Sequence, residues 1–252
     1  AKETLVLLHG FTGSISTWNQ IASLLPNTIR IVAIDLIGHG DTDAPIESSR
    51  YTMLEQLFDL EEIFNALHLQ SFTLLGYSMG GRVALSYAVA YPQRIKNLIL
   101  ESSSPGLKTH EEQQARRQAD EQLATKIEQK GVEAFVKEWE NIPLFATQKK
   151  LPIHVQQAVR AERLAQTKKG LANSLRGMGT GAQKSIWPEL KSITFPVYLI
   201  TGELDHKFCK IAEDMKKQIS NAKHILVNNV GHAIHVENST QFATIVKKVF
   251  SK

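Results

Sequence analysis

The chain has 252 residues, of which 42% are hydrophobic and 21% are charged, and its formal net charge is +4. These values are ordinary for a soluble protein with a substantial core, and the length allows one large α/β domain or two smaller ones. No apolar stretch is long enough to span a membrane, no signal-peptide pattern is present, and the single cysteine, Cys209, excludes an internal disulfide, so we expect a cytoplasmic protein.

Short apolar runs recur along the chain and predict β-strands. They cover residues 5–8, 29–34, 72–75, 95–100, 197–200 and 224–227. Helical patterns lie between most of these runs, at residues 16–25, 52–67, 80–90, 208–219 and 238–250. Strands and helices that alternate in this way indicate an α/β fold with a mostly parallel, doubly wound sheet.

The predicted strand at residues 72–75 leads into the pentapeptide Gly-Tyr-Ser-Met-Gly at residues 76–80, which is followed by a helical run. A Gly-x-Ser-x-Gly motif between a strand and a helix predicts a nucleophile elbow, a strained turn that lifts the serine hydroxyl above the sheet. The glycines leave room for the tight backbone and for close packing of the helix on the strand. Ser78 is therefore the candidate nucleophile, although the pentapeptide without these flanks also occurs by chance.

Two further candidates follow later strands. Asp205 lies in the turn after residues 197–200, and His232 follows the strand at 224–227. Taken singly, Asp205 could be a helix-capping carboxylate and His232 an ordinary loop histidine, and Glu101 is a rival for the acid position. The order Ser, Asp, His is nevertheless that of α/β-hydrolases, in which the histidine takes the serine proton and the aspartate holds the imidazole. The sequence therefore predicts a catalytic triad on the α/β-hydrolase fold.

An oxyanion hole is also predicted. The first strand ends in His-Gly-Phe-Thr-Gly at residues 9–13, and in this fold the loop there supplies one donor. The residue after the nucleophile supplies the other, so we expect the backbone N–H groups of Phe11 and Met79 to form the hole. α/β-hydrolases commonly begin with two further antiparallel strands, which this sequence does not contain. The nine histidines show no metal-binding motif, so we expect no metal and no cofactor.

Residues 101–195 interrupt the alternation, because no convincing strand occurs among them. A loop of this length is not structureless inside a compact domain. Helical runs instead cover residues 111–129, 132–138, 154–167 and 170–175. We therefore predict a helical cap, residues 105–188, that is inserted in a core of residues 1–104 and 189–252 and folds over Ser78.

The cap carries the positive charge of the chain. Residues 106–185 contain 14 Lys and Arg against 9 Asp and Glu, whereas the remainder contains 15 against 16. Solvated helix faces that carry lysine would be one ordinary explanation of this charge. A nucleic-acid partner would be another, but acidic residues are mixed with the basic ones and no aromatic residues are interleaved with them. We favour a small anionic polycarboxylate substrate, bound by arginine rather than lysine, and we expect no nucleic-acid or membrane partner.

Arg82 follows Ser78 by four residues and so projects from the first turns of the helix on the side of the nucleophile. A cation near a helix N-terminus is disfavoured by about 0.3–1 kcal/mol. A bound anion in the catalytic pocket would compensate for this cost. Alternatively, Arg82 points into solvent or pairs with a carboxylate of the core.

Several segments together resemble one family. They include Leu-Gly-Tyr-Ser-Met-Gly-Gly-Arg at 75–82 and Glu-Ser-Ser-Ser-Pro-Gly-Leu at 101–107, with further matches at 139–145, 174–181, 202–208 and 231–237. They are similar to the MenH family, the 2-succinyl-6-hydroxy-2,4-cyclohexadiene-1-carboxylate synthases of menaquinone biosynthesis. Because the matches span the cap as well as the core, they are more specific than the motifs shared by all α/β-hydrolases.

The resemblance implies a lyase. In that family's reaction a proton is abstracted and pyruvate is eliminated from 2-succinyl-5-enolpyruvyl-6-hydroxy-3-cyclohexene-1-carboxylate. One of the contacts that the resemblance implies is Arg116, which is adjacent to Arg117. A shift of one residue in the alignment of the cap would assign this contact to Arg117 instead. The resemblance implies the catalytic residues Ser78, Asp205 and His232 and the substrate contacts Tyr77, Arg82, Arg116, Trp139 and Arg163.

Two other functions remain open from the sequence. A carbon–carbon bond hydrolase or a carboxylesterase with Ser78 as nucleophile would explain the triad, but not the cationic cap or Arg82. A small-molecule receptor on a hydrolase scaffold is compatible with an intact triad, although no partner surface is evident. The sequence does not determine the oligomeric state, and we expect a monomer.

Overall fold

A single parallel sheet forms the centre of the structure, a computed structural model that describes residues 3–251. In this part of the chain the sheet has six strands, in the order β2-β1-β3-β4-β5-β6. The chain first adds β2 on one side of β1 and then adds the other strands on the opposite side, so the predicted doubly wound α/β fold is confirmed. The strands are β1 (Glu3–Leu8), β2 (Ile29–Ile34), β3 (Phe72–Tyr77), β4 (Ile95–Glu101), β5 (Val197–Gly202) and β6 (Ala222–Val227).

Helices cover both faces of this sheet. Those of the core are α1 (Asn19–Leu24), α2 (Met53–Ala66), α3 (Met79–Ala90), α7 (His206–Lys216), α8 (Ile234–Glu237) and α9 (Ser239–Phe250). Between β4 and β5 lie α4 (His110–Trp139), α5 (Ile153–Leu164) and α6 (Lys168–Met178). No helix described between residues 3 and 251 has the length and apolarity needed to cross a lipid bilayer.

The sequence prediction missed the shortest helices. α8 and the 3-10 helices Pro143–Lys150 and Trp187–Ser192 were not predicted, and residues 16–25 form a 3-10 turn, Ile15–Trp18, followed by α1. Segments this short show too few apolar repeats for a periodic pattern to be recognised. The 3-10 helices Ser48–Tyr51 and Pro92–Arg94 were missed as well. The positions of these segments are set by tertiary contacts and, in Pro92–Arg94, Pro143–Lys150 and Trp187–Ser192, by a proline at the first turn.

The long helix α4 is bent at one residue. Gly131 has φ +82° and ψ 171°, and its position separates the two helical runs that the sequence predicts at residues 111–129 and 132–138. The helix begins with a capping box in which Thr109 and Glu112 each accept a hydrogen bond from the other's backbone N–H. Glycine tolerates the left-handed conformation without strain, so α4 can change direction over the sheet.

Both faces of the sheet are buried, as is usual for parallel strands covered by helices. Side chains alternate between the faces, so Val6 and Leu8 belong to one apolar cluster and Leu5 and Leu7 to the other. A third, smaller cluster lies between α4 and α6 and includes Ala124, Phe135 and Leu171. The helices between β4 and β5 therefore have an apolar core of their own; we call residues 105–188 the cap.

Two glycines of α6 bring the cap close to the core. A Cβ at Gly170 would lie 1.9 Å from the carbonyl oxygen of Gly38, and one at Gly177 would lie 2.5 Å from the backbone carbon of Tyr51. Neither distance is compatible with a side chain, because backbone atoms cannot move aside as a flexible side chain can. The contact between cap and core therefore depends on the absence of a Cβ at these positions.

Candidate active site

The three predicted triad residues lie together at the carboxyl ends of the strands. Ser78 follows β3, Asp205 follows β5 and His232 follows β6. The Ser78 Oγ is 3.0 Å from His232 Nε2, and His232 Nδ1 is 2.6 Å from Asp205 Oδ2. With Nδ1–H donating to the carboxylate, Nε2 is oriented to accept the serine hydroxyl proton.

Asp205 combines the two roles that the sequence left as alternatives. Its Oδ2 faces His232, while its Oδ1 accepts a hydrogen bond of 3.5 Å from the backbone N–H of Phe208 and so caps α7. Its rival Glu101 is completely buried and contacts His235 instead of His232. The helix cap thus helps to fix the carboxylate that orients the imidazole.

Ser78 lies on a strained turn of the backbone. Its φ of 50° and ψ of −107° are unusual for a residue with a side chain, and such strain occurs where surrounding contacts enforce it. A Cβ at Gly76 would lie 2.3 Å from the carbonyl oxygen of Gly80, and a Cβ at Gly80 would lie 2.3 Å from that of His9. The motif glycines are therefore needed for the close approach of α3 to β1 and β3.

Phe11 and Met79, whose backbone N–H groups are the predicted oxyanion-hole donors, line the same cavity as Ser78. Met79 is the first residue of α3, where N–H groups have no partner within the helix and the helix dipole is positive. Among the hydrogen bonds described for residues 3–251, neither N–H donates to a protein acceptor. The loop that carries Phe11 is shaped by Thr12, with φ 69°, and by a hydrogen bond of 3.0 Å from Gly13 N–H to the Gly10 carbonyl.

A cavity of about 520 Å³ opens above Ser78, where the cap meets the core. Its volume is in the range of sites that enclose small molecules. Of the predicted substrate contacts, Tyr77, Arg82, Arg116 and Trp139 line it. Arg117 is exposed and is not among the lining residues of the described chain, so Arg116 is the arginine of this pair that faces the cavity.

Arg82 is buried at this cavity without an acidic partner. Its Nη1 donates hydrogen bonds of 2.7 Å to two neutral acceptors, the Met178 carbonyl and Gln183 Oε1, and within residues 3–251 it forms no ion pair. Burial, and then repulsion from Arg116, lowers the pKa of Arg82 to about 10, so the guanidinium remains charged at neutral pH. Asp120, which is paired with Arg116, partly opposes this shift but forms no ion pair with Arg82. A buried charge with so little compensation is costly, which makes this position suited to an anionic ligand.

Arg116 is held by a carboxylate but keeps donors for a ligand. Its Nε donates to Asp120 Oδ1 at 2.8 Å, an interaction between residues four apart on α4. This contact occupies one edge of the guanidinium and leaves its terminal nitrogens near the cavity. Arg116 and Arg82 therefore present two cationic groups on the same side of the site.

Aromatic residues form much of the remaining wall. The Tyr77 ring lies 5.4 Å from the His232 ring, and burial raises the pKa of the Tyr77 phenol well above its usual value, so it remains neutral. Trp139 packs 5.5 Å from Phe11 and 5.8 Å from Phe145. The wall is therefore apolar close to the serine, and the polar donors are confined to a few positions.

The fifth predicted contact, Arg163, lies outside this cavity. It lines two adjacent cavities of about 410 and 40 Å³, and Phe145 lines all three. The Arg163 guanidinium lies 4.5 Å from the Phe145 ring centroid and donates to Gln148 Oε1 at 3.2 Å, and burial lowers its pKa. A ligand in the cavity above Ser78 would thus meet Phe145 before Arg163.

Sequence reasoning missed several residues around the site. Phe208 lies 4.7 Å from the His232 ring and Phe145 lies 6.2 Å from it, measured between ring centroids. At the cavity rim are Lys108, Lys207 and Lys210. Phe208 follows Asp205 by three residues, so its place on the first turn of α7 was a usable signal, whereas Phe145 ends the family-like segment 139–145 but shows no periodic pattern that would direct it to the site.

The parallel sheet, the nucleophile elbow and the triad geometry together define an α/β-hydrolase. In agreement, the family model described as the alpha/beta hydrolase fold matches residues 3–239. An enol-lactonase from Burkholderia xenovorans LB400 has a TM-score of 0.86 over 100% of this chain and 92% of its own, with 20% identity, which shows the shared fold alone.

Three relatives place the chain more narrowly. A Bacillus subtilis (strain 168) protein, provisionally named a 2-succinyl-6-hydroxy-2,4-cyclohexadiene-1-carboxylate synthase, is 47% identical over 98% of this chain and 90% of its own. The synthase of that name from Citrobacter koseri is 32% identical over 93% and 88%. The structure of MenH from S. aureus has a TM-score of 0.94 with 39% identity and covers 98% of this chain and 92% of its own. The chain therefore belongs to the family of 2-succinyl-6-hydroxy-2,4-cyclohexadiene-1-carboxylate synthases.

Proposed function

We propose that this protein is a lyase of menaquinone biosynthesis. It would eliminate pyruvate from 2-succinyl-5-enolpyruvyl-6-hydroxy-3-cyclohexene-1-carboxylate and so form 2-succinyl-6-hydroxy-2,4-cyclohexadiene-1-carboxylate. Family membership over nearly the whole chain supports this reaction. The structural observation that carries the proposal is the buried Arg82, which lines the cavity above Ser78 and forms hydrogen bonds with neutral acceptors.

The substrate's connectivity determines which bonds change. Ring carbon C2 bears a hydrogen next to the succinyl ketone, the double bond joins C3 and C4, and C5 bears the enolpyruvyl ether. Removal of the C2 proton produces an enolate, whose electrons then form the C2–C3 and C4–C5 double bonds. The C5–O bond breaks, and pyruvate leaves as its enolate and is protonated, so no water is consumed.

Ser78 and His232 supply the base for the first step. The Ser78 hydroxyl proton passes to His232 Nε2 across their hydrogen bond of 3.0 Å, and the resulting alkoxide removes the C2 proton. Asp205, at 2.6 Å from Nδ1, stabilises the imidazolium that forms. His232 is then positioned to return a proton to the departing enolate. This sequence requires no covalent intermediate on Ser78.

The oxyanion hole and the arginines accommodate the negative charge. The enolate oxygen that develops from the succinyl ketone would be stabilised by the N–H groups of Phe11 and Met79. Arg82 and Arg116 would each bind a carboxylate, and Tyr77 and Trp139 would pack against the apolar ring. Arg163 would contact the substrate after a rearrangement of Phe145, because that ring lies between Arg163 and the cavity.

The decisive experiment is incubation of the purified protein with the enolpyruvyl substrate, with pyruvate release followed by coupled reduction with lactate dehydrogenase. We expect pyruvate and the cyclohexadiene product in equal amounts. The opposite result would be a protein that releases no pyruvate, hydrolyses esters or ring-cleavage products, and forms an acyl-enzyme on Ser78 that can be trapped. That result would identify a hydrolase. Intact-mass measurement during turnover separates these outcomes, since the lyase should show no adduct.

We further propose that the protein acts in the cytoplasm, as a monomer, on a small anionic polycarboxylate and without a metal or cofactor. The single cysteine, Cys209, is compatible with a reducing compartment. Size-exclusion chromatography with light scattering would test the oligomeric state, and retention of activity after treatment with a chelator would test the absence of a metal requirement.

A further inference from the structure

A second acid–histidine pair lies beside the triad. Glu101 is completely buried and His235 is 3% exposed. Both carboxylate oxygens of Glu101 are 2.9 Å from His235 Nδ1, and the His235 backbone N–H donates to Oε1 at 3.0 Å. The triad mechanism uses neither residue, so the presence of a polar pair in this interior position needs a separate explanation.

The main chain of Glu101 holds the nucleophile. Its carbonyl oxygen accepts a hydrogen bond of 2.9 Å from the Ser78 N–H. Two residues further on, the Ser103 Oγ donates to the Ser78 carbonyl at 3.0 Å. Ser102 between them has a φ of 46°, which allows β4 to end in a turn around the elbow. The segment at the end of β4 therefore forms hydrogen bonds with both the N–H and the carbonyl of Ser78.

The side chain of Glu101 holds His235, which is close in sequence to the base His232. His235 is three residues from His232, at the start of the segment Ile234–Glu237. The Tyr77 ring contacts both imidazoles, at 5.4 Å from His232 and 4.6 Å from His235, and the Trp18 ring lies 5.0 Å from His235. With His235 fixed on several sides, the loop that carries His232 has little freedom to move away from Ser78.

We propose that Glu101 is a positioning residue that sets the distance between Ser78 and His232. It fixes the nucleophile through its backbone carbonyl and fixes the loop of the base through the contact of its carboxylate with His235. Replacing both partners of a buried hydrogen bond with apolar groups of similar shape is often nearly neutral for stability, so stability alone does not account for a polar pair here. The inference rests on the use of Ser78 and His232 in the proposed function, and it applies to any reaction that this pair catalyses.

The prediction is a selective loss of turnover. Substitution of Glu101→Gln keeps the backbone contact to Ser78 and the size of the side chain, but its amide group cannot accept hydrogen bonds at both terminal atoms. We expect kcat to fall about ten- to a hundredfold, because small misplacements of reacting groups have effects of this size. KM should change little, since Arg82 and Arg116 are not in contact with Glu101.

The test is the rate at which a fluorophosphonate labels Ser78, measured with kcat and KM. Labelling depends on proton transfer from Ser78 to His232 and does not require the native substrate. We expect slow labelling in Glu101→Gln and in His235→Gln, and a double variant that is no slower than either, because both substitutions break the same link.

Glu61→Gln is the matched control: it disrupts a hydrogen-bonded carboxylate that contacts Tyr87 and Arg94 at the other end of β4. It should lower Tm and leave the labelling rate unchanged.

Wild-type labelling rates in folded Glu101→Gln and His235→Gln would overturn the proposal. So would labelling that decreases only in proportion to the loss of stability, as measured against Glu61→Gln. Because labelling is independent of the substrate, a wild-type protein that releases no pyruvate would refute the proposed function while the labelling rates still decide the role of Glu101.

Discussion

At the scale of single residues, the charged groups of the site differ in how they are neutralised. Arg116 has Asp120 as a partner, whereas Arg82 donates to the Met178 carbonyl and Gln183 Oε1. Asp120 lies near enough to influence the pKa of Arg82 but is paired with Arg116, so the Arg82 guanidinium is available to an anionic ligand. Arg82 is therefore the residue whose removal should most directly weaken binding of a carboxylate in the transition state.

Substitution Arg82→Ala should lower kcat/KM for pyruvate release ten- to more than a hundredfold. A hydrogen bond to a charged group contributes about 1.5–3 kcal/mol, which corresponds to this range. Arg82→Lys should recover part of the loss, because an ammonium group cannot form the bidentate pair. Steady-state kinetics of the variants would check this, with exposed Arg117→Ala as the control. Unchanged kinetics in Arg82→Ala would rule out a carboxylate contact.

Substitution Ser78→Ala should reduce kcat by a factor on the order of ten thousand or more, as triad residues act as a unit. Substrate affinity, measured by calorimetry, should be retained because the arginines are intact. Ser86→Ala is a suitable control, since Ser86 is a serine buried within α3, the helix that Ser78 precedes, and does not line the cavity described above. Substantial pyruvate release by Ser78→Ala would identify a different base.

At the scale of secondary-structure elements, the cap is joined to the core by specific contacts on several helices. Glu162 on α5 accepts hydrogen bonds from Ser14 and Thr17, which follow the oxyanion loop. On α6, Gly170 and Gly177 allow direct backbone contact. The cap is thus attached to the core at the segment that follows the oxyanion loop and at Gly38 and Tyr51.

Substitution Gly170→Ala should destabilise the protein and disturb the docking of α6. The added Cβ would lie 1.9 Å from the Gly38 carbonyl oxygen, and overpacking of this kind costs about 1–3 kcal/mol. Alanine otherwise favours a helix, so the local propensity effect has the opposite sign. Urea unfolding would measure the change, with the exposed neighbour Lys169→Ala as control. A more stable Gly170→Ala protein would show that this contact is not tight.

At the scale of the whole molecule, charge and protonation connect stability with catalysis. His9 and His39 are buried with their ring centroids 5.1 Å apart, under the loop that carries Phe11. Burial lowers the pKa of His9 to about 4 and that of His39 to about 3. Both are therefore neutral in the folded state over the physiological pH range.

Acidification should destabilise the fold below pH 6.5, the ordinary histidine pKa. Between that value and about pH 4 the unfolded chain binds protons at these histidines and the folded chain does not. Each histidine then removes about 1.4 kcal/mol of stability per pH unit. Unfolding free energies measured at several pH values should decline less steeply in a His39→Asn variant. Equal slopes for wild type and variant would contradict the lowered pKa of His39.

The cationic rim of the cavity should make catalysis dependent on salt. Lys108, Lys207 and Lys210 are exposed and line the cavity, and their attraction for an anionic substrate is screened as ionic strength rises. We expect kcat/KM to fall several-fold between about 0.05 and about 0.5 M NaCl. A Lys207→Gln, Lys210→Gln double variant should show a smaller dependence. A flat profile for the wild type would exclude electrostatic steering.

The strands and the order of the catalytic motifs could be predicted from the sequence. The run at residues 29–34 coincides with β2, and the other predicted strands extend by a residue or two. Apolar runs in buried strands are a local signal, which is why they could be located. The positions of Ser78, Asp205 and His232 after strands were sufficient to place them at one edge, because parallel strands end on the same side of a sheet.

The contacts between side chains could not be predicted from the sequence and were established by the packing of the fold. It separates Arg163 from the cavity by Phe145, selects Arg116 over Arg117, and directs Glu101 to His235 instead of His232. Each of these outcomes depends on how segments far apart in sequence pack together. No local periodicity encodes such contacts, because a side chain's partner is set by the rotation and approach of whole helices and strands.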